Sequence, residues 1–188
     1  MQVTKKSSLN RSNIERMVKA MSKNELELKA YKLLHKRGVT IHDIAELVYY
    51  LQSTYHEELS MEDCLYNVKK VLAKREVQYA VLTGIQLDML AEENKLKQPL
   101  QDTIATDESL YGIDEIVAFS IVNVYGSIGF TNYGYIDKQK PGILKHLNDR
   151  STGEVHTFLD DIVGAIAAAA SSRLAHATAD DNESSLDD

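Results

Sequence analysis

The sequence predicts an all-α fold, a single multihelical domain, and three observations carry that prediction. Apolar residues recur at i, i+3, i+4 and i+7 along most of the 188-residue chain. Only two prolines and nine glycines interrupt it, too few for the many turns of a β-sandwich. No apolar–polar alternation of period two is sustained. With 44% apolar residues the chain can bury a core, which excludes a wholly disordered polypeptide.

The elements follow in order. Ile14, Met17, Val18 and Met21 mark a short amphipathic helix inside a basic N-terminal segment, residues 1–23. The multihelical domain spans 24–176. Leu26, Ala30, Leu33 and Leu34 define its first helix, stopped at Gly38. Thr40 can cap the next, with Ile41, Ile44, Ala45 and Val48 inward. Ser60 can cap another, with Met61, Cys64, Leu65, Val68 and Leu72 on its apolar stripe. That pattern continues through the stretch around Gly84, where glycine either breaks the helix or admits a close neighbour. Pro99 suits the first turn of a helix that ends before Gly112. A helix from about Asp114 to Tyr125 follows, then a glycine-interrupted stretch and a short helix begun by Pro141. Asp160 or Asp161 opens the last helix, which should end near Ala175. Residues 177–188 carry five acids and one large apolar residue, and are expected to form a disordered acidic tail.

Charge and composition narrow the function. Residues 1–40 hold ten Lys and Arg against three acids, whereas the remainder holds eleven against twenty-five. An acidic body disfavours nucleic acid, and it also counts against reading the two short helices of residues 24–54 as a helix-turn-helix. The basic start could touch anionic lipid or simply be solvated. One cysteine and no apolar N-terminal stretch lead to the expectation of a cytoplasmic protein, with room for peripheral membrane contact and for a homo-oligomer. The 21 uncharged residues between Glu115 and Asp137 are long enough to span a bilayer. They include Ser120, Asn123, Ser127, Thr131, Asn132 and three glycines, so they are read as the core of a soluble domain.

The chain has no GxxxxGK[ST] loop, GxSxG elbow, HExxH or CxxC. Instead, acids and bases gather around the uncharged stretch: Asp114–Glu115, Asp137 to Gly142, Asp149–Arg150 and Asp160–Asp161. Hard cations such as magnesium take carboxylate oxygens, water and substrate phosphate, while lysine and arginine hold phosphoryl oxygens. Each group also has a plainer reading. Asp114 and Glu115 satisfy a helix dipole, and Asp160–Asp161 make an N-cap pair. Lys138 and Lys140 are solvated charges, and Cys64 is core. His146 and His156 are surface or structural residues, and Tyr125, Tyr133 and Tyr135 pack with satisfied hydroxyls.

From Asp114 to about Ala170 the chain resembles the phosphatidylglycerophosphatase A family, magnesium-dependent enzymes that remove phosphate from phosphatidylglycerophosphate. The likeness rests on a DE pair at Asp114–Glu115, a D-x-x-K-P stretch at Asp137, Lys140 and Pro141, a DR at Asp149–Arg150, and Asp160–Asp161–Ile162 at a helix start. The sequence looks closer still to a soluble bacterial branch that includes low-temperature-requirement C protein. It lacks the membrane-bound members' apolar spans and their N-terminal G-T-x-G-S motif, and Gly134 stands where those members often carry arginine.

The resemblance implies a multihelical magnesium-dependent phosphatase acting on a phosphate monoester, either a phosphorylated lipid or a small ester. It implies Asp114, Glu115, Asp137 and Asp161 as catalytic groups, and Glu115, Asp137, Asp160 and Asp161 as magnesium ligands. Lys140 and Arg150 would bind phosphate. The alternative is a non-catalytic interaction or regulatory protein that retains an acidic metal-binding pocket.

Overall fold

The computed structural model describes the backbone of residues 25–184 and the side chains of residues 25–176. The helix expected around Ile14 therefore lies outside the described residues, as does the end of the acidic tail.

The described residues form an all-α domain, as the apolar periodicity predicts. α1 spans Glu25–Lys36 and α2 Ile41–Gln52, joined through Gly38 in the left-handed conformation at φ +79°. Thr40 caps α2, and its side chain and that of Asp43 satisfy each other's backbone N–H groups. Ser60 and Asp63 repeat the device at α3, Met61–Leu72. The chain turns at Ala73–Lys74 into α4, Arg75–Glu92, so the long pattern read through Gly84 is two helices. α5, Leu100–Ala105, follows Pro99. The uncharged stretch folds as α6, Ile113–Val122, a 3-10 turn, and α7, Ser127–Gln139. α8 is Ile143–Leu147, and α9 runs Leu159–Ser184, well past Ala175.

α9 is the axis of the domain and packs against α2, α3, α4, α6, α7 and α8. Every residue from Asp161 to Ser172 is buried, as expected of a helix enclosed on all sides. Ala165 and Ala167–Ala170 let neighbouring helices approach its backbone closely. Gly84 of α4 lies flat on the first turns: a Cβ there would meet Phe158 Cβ at 2.8 Å and collide with Ile162. This is the close neighbour that the sequence left as one of two meanings for Gly84.

Reading the uncharged stretch as core needs correction. α6 and α7 bury one face each, with Ala118, Ile121, Val122, Tyr133 and Ile136 inside. Ile116, Val124, Ile128 and Phe130 remain exposed, because a helix against a core buries only a stripe. No described helix is long and apolar enough to cross a membrane.

Candidate active site

Three helix ends meet at one place. The start of α9 supplies Asp160 and Asp161, the end of α7 supplies Asp137 and Lys140, and the first turn of α6 supplies Asp114. Lys140 closes α7 in the left-handed conformation, φ 45° and ψ 52°, sparsely populated by residues other than glycine. Its ammonium lies 2.6 Å from Asp137 Oδ1, 2.8 Å from Asp160 Oδ2 and 3.8 Å from Asp161 Oδ1. Four of the residues expected from sequence are thus brought together. Asn148 also donates to Asp160 Oδ2, at 3.2 Å.

Three carboxylates around one ammonium leave an excess of negative charge, and the site's titration reflects it. Burial opposes the Lys140 charge, but the Asp160 and Asp137 carboxylates overcome it and raise its pKa. Burial pushes the Asp160 carboxyl up, against the pull of Lys140. Asp161 is pushed up to about 8, by burial first and then by the Asp160 charge beside it. Asp114 is buried and also raised, chiefly by burial, and its charge acts in turn on Asp161. Tyr133 is buried, and its hydroxyl is held back from ionising by burial and by the charges of Asp161 and Asp137.

Two other expected residues are exposed. Glu115 is exposed, about 100° around α6 from buried Asp114. Arg150 is 69% exposed and pairs with Asp107 Oδ2 at 2.6 Å, in the wall of a cavity that Asp160 also lines.

Behind the acids lies a scaffold that sequence reasoning missed. Asp88 of α4 is fully buried and accepts from the backbone N–H of Phe158 at 3.1 Å and of Leu159 at 3.0 Å. Burial raises its pKa well above the carboxylate range. Glu92, one turn on, accepts from Val155 N at 2.8 Å and from both Arg37 terminal nitrogens, and Arg37 also donates to Val155 O. Burial works against the Glu92 charge, but Arg37 prevails and lowers its pKa. Thr157 donates to Ile104 O at 2.7 Å. The segment entering α9 is therefore tied at nearly every residue, which fixes Asp160 and Asp161. A signal was present in the sequence: Asp88 continues the buried stripe Val77, Val81, Gly84, Ile85 of α4, where an acid needs a reason.

A cavity of about 170 Å³ opens beside Asp160, lined among others by Asp107, Asn148, Arg150, Glu154 and His156. His156 is buried, and its Nδ1 lies 2.9 Å from Leu147 O, which can only accept, so Nδ1 carries a proton. Burial lowers the imidazole pKa and favours the neutral ring, whose Nε2 then presents a lone pair. That atom has no hydrogen-bond partner and faces Glu154 Oε2 at 3.6 Å.

The implied magnesium can be tested on these residues. Among the described residues no three acids or histidines stand as a ready-made metal nest, and the ammonium of Lys140 fills the point that the carboxylates share. The donors themselves fit. Asp137, Asp160 and Asp161 offer only hard oxygens and carry more negative charge than one ammonium answers.

Comparison with known proteins finds a matching family model and relatives that are covered over most of their length. The family model described as Phosphatidylglycerophosphatase A matches residues 30–176. The uncharacterized protein YutG of Bacillus subtilis (strain 168) is 68% identical over 160 residues, covering 83% of this chain and 96% of its own. YpjQ of the same organism, also uncharacterized, is 56% identical over 159 residues, covering 85% of this chain and 89% of its own. Among solved structures, low temperature requirement C protein from Listeria monocytogenes superposes with a TM-score of 0.82 at 66% identity, covering 84% of this chain and 99% of that one. A protein of unknown function from Bacillus stearothermophilus gives 0.80 at 71% identity, covering 81% and 95%.

Proposed function

Because the chain belongs to the phosphatidylglycerophosphatase A family, we propose that it is a magnesium-dependent phosphatase that hydrolyses a phosphate monoester borne by a lipid, phosphatidylglycerophosphate or a close relative. The observation that carries this reading is the convergence of Asp137, Asp160 and Asp161 on Lys140 Nζ at a place with surplus negative charge.

Lys140 offers N–H donors to a phosphoryl oxygen, and it is held by charge rather than free to swing. Asp160 and Asp161 repel each other, so near neutral pH the pair retains a proton. With magnesium bound that proton would be lost, and a carboxylate oxygen the ion does not use could take a proton from an attacking water and pass it to the leaving alkoxide as the ester P–O bond breaks. Asp137, Asp160 and Asp161 are the residues that would hold magnesium, which supplies charge neutralisation on the phosphoryl group and a more acidic water. Its entry requires Lys140 to yield part of its contacts. The protein would work in the cytoplasm and meet its lipid at the membrane surface.

The test is phosphate release from phosphatidylglycerophosphate in mixed micelles and from small phosphate esters, with magnesium or with chelator. Magnesium-dependent turnover is expected. Background rates on every substrate under both conditions would defeat the proposal. A second reading, a non-catalytic regulatory protein with an acidic pocket, draws on the occupation of the acids' common point by Lys140. Magnesium binding without turnover would favour it.

A further inference from the structure

We propose that Lys70, Lys74 and Arg173, with Tyr66, Tyr125 and the exposed face of α6 and α7, form a docking surface for an anionic phospholipid membrane. The proposal extends the phosphatase reading, which requires contact with a lipid surface, but it stands on side chains outside the acid site.

The cations gather where the end of α3 meets the middle of α9. Lys70 Nζ lies 5.1 Å and the Arg173 guanidinium 5.2 Å from the centre of the Tyr66 ring, and Lys74 Nζ lies 5.7 Å from that of Tyr125. Among the described residues none of the three forms an ion pair. Arg173 is half-buried and donates to the neutral Asn67 side chain. Asp63, the acid one turn before Asn67, is committed to the Ser60 cap. Lys70 and Lys74 are exposed, as are Lys69 and Arg75 beside them. In a chain of net charge −7, a cluster of like cations without a carboxylate partner calls for an anion from outside.

The surface beside them supplies the apolar part. Tyr125 lies in the turn between α6 and α7, where its carbonyl accepts from Ser172 Oγ at 2.8 Å. From this turn both helices run back to the acid site, because Asp114 stands in the first turn of α6 and Asp137 in the last turn of α7. No charged residue stands between Glu115 and Asp137, and Ile116, Val124, Ile128 and Phe130 are exposed. Arg173 lies about 18 Å along α9 from Asp161, at 1.5 Å per residue. The cations thus anchor one end of an uncharged face whose other end is the acid site. Cations for phosphate headgroups, tyrosines for the interface and apolar side chains for the acyl boundary are what contact with a bilayer surface requires. A second copy of the chain fits less well, since twofold symmetry sets the patch against itself, cation against cation.

The experiment is co-sedimentation of the full chain with phosphatidylcholine vesicles, with and without phosphatidylglycerol, at low and at physiological salt. Chelator is present throughout, so that magnesium cannot bridge the acids to lipid. Binding is expected only with the anionic lipid, and it should weaken as salt rises. Each cation at such a surface contributes about fivefold, so Lys70→Gln combined with Lys74→Gln should weaken partitioning about thirtyfold, with Tm unchanged. Ile128→Ser should weaken it about threefold without altering the salt dependence. The assay involves no turnover, so failure of the phosphatase reading would leave it intact. No binding to either vesicle, or binding that the double variant leaves unchanged, would overturn the proposal. So would a loss confined to Arg16→Gln combined with Lys19→Gln, which assigns the contact to the N-terminal segment. A dimer in sedimentation velocity that the Lys70 and Lys74 variant dissociates would give the face to a second copy and overturn it as well.

Discussion

Two sets of acids flank the first turn of α9, and they differ in how they are answered. Behind the turn, Asp88 receives two backbone N–H groups, and Glu92 receives a forked arginine and a third backbone N–H. In front, Asp137, Asp160 and Asp161 share a single ammonium. The rear set has a donor for each acid, which is what a scaffold requires. The front set is short of positive charge, which is how a site awaiting a ligand differs from one that only holds a fold together.

That contrast can be broken by substitution. Asp161→Asn should lower phosphate release about a thousandfold, roughly 4 kcal/mol of transition-state stabilisation, as a steady-state assay would read. The same variant should be more stable than the parent in chelator. With its folded pKa raised above the ordinary 3.8, Asp161 binds a proton that the unfolded chain has lost, so stability falls as pH rises between about 4 and 8. The Tm advantage of Asp161→Asn should therefore be small near pH 4 and greatest at about pH 8. A variant that instead loses stability would place Asp161 in the scaffold.

Asp88→Ala is the opposite experiment. It strands two buried N–H groups and should cost about 3 kcal/mol, a fall in Tm of roughly 10 °C. Gly84→Ala forces α4 away from Phe158 and Ile162 and should cost about 2 kcal/mol in denaturant titration, with a loss of activity because the start of α9 moves. Saturating magnesium should raise the parent's Tm by a few degrees at pH 8 and by less near pH 5, where protons compete for the carboxylates. Asp161→Asn should blunt that gain, whereas a gain unchanged by the substitution would move the ion elsewhere. Arg150→Ala should change stability by less than about 0.5 kcal/mol, since its pair with Asp107 is open to solvent.

The sequence made the helices legible because helices are local. Thr40–Asp43 and Ser60–Asp63 announce their capping boxes, and the apolar stripes of α2 and α3 face inward as read. The site was half legible. Asp137, Lys140, Asp160 and Asp161 were found through their motif, and the fold brings them within reach of one another. Glu115 and Arg150 belong to the same motif but are exposed, and Arg150 pairs with Asp107. A helix turns adjacent residues to different faces, and the loop after α8 carries Arg150 to Asp107. Asp88, Glu92 and Arg37 were missed because their roles depend on partners 55 to 118 residues away, which no local pattern reports. His156 was read as surface or structural; it is buried, and its tautomer became readable only once Leu147 O was placed beside it.

Many enzymes carry their reacting groups on loops that open easily, but the acids proposed for that role here, Asp160 and Asp161, begin a helix enclosed by six others. The backbone amides of Ile162 to Ala170 can meet solvent deuterium only when the whole domain opens, so they should be among the slowest to exchange. Access to such a site must come from the substrate's approach and from small shifts at Lys140 and Arg150, with the acids themselves as the fixed point about which everything else adjusts.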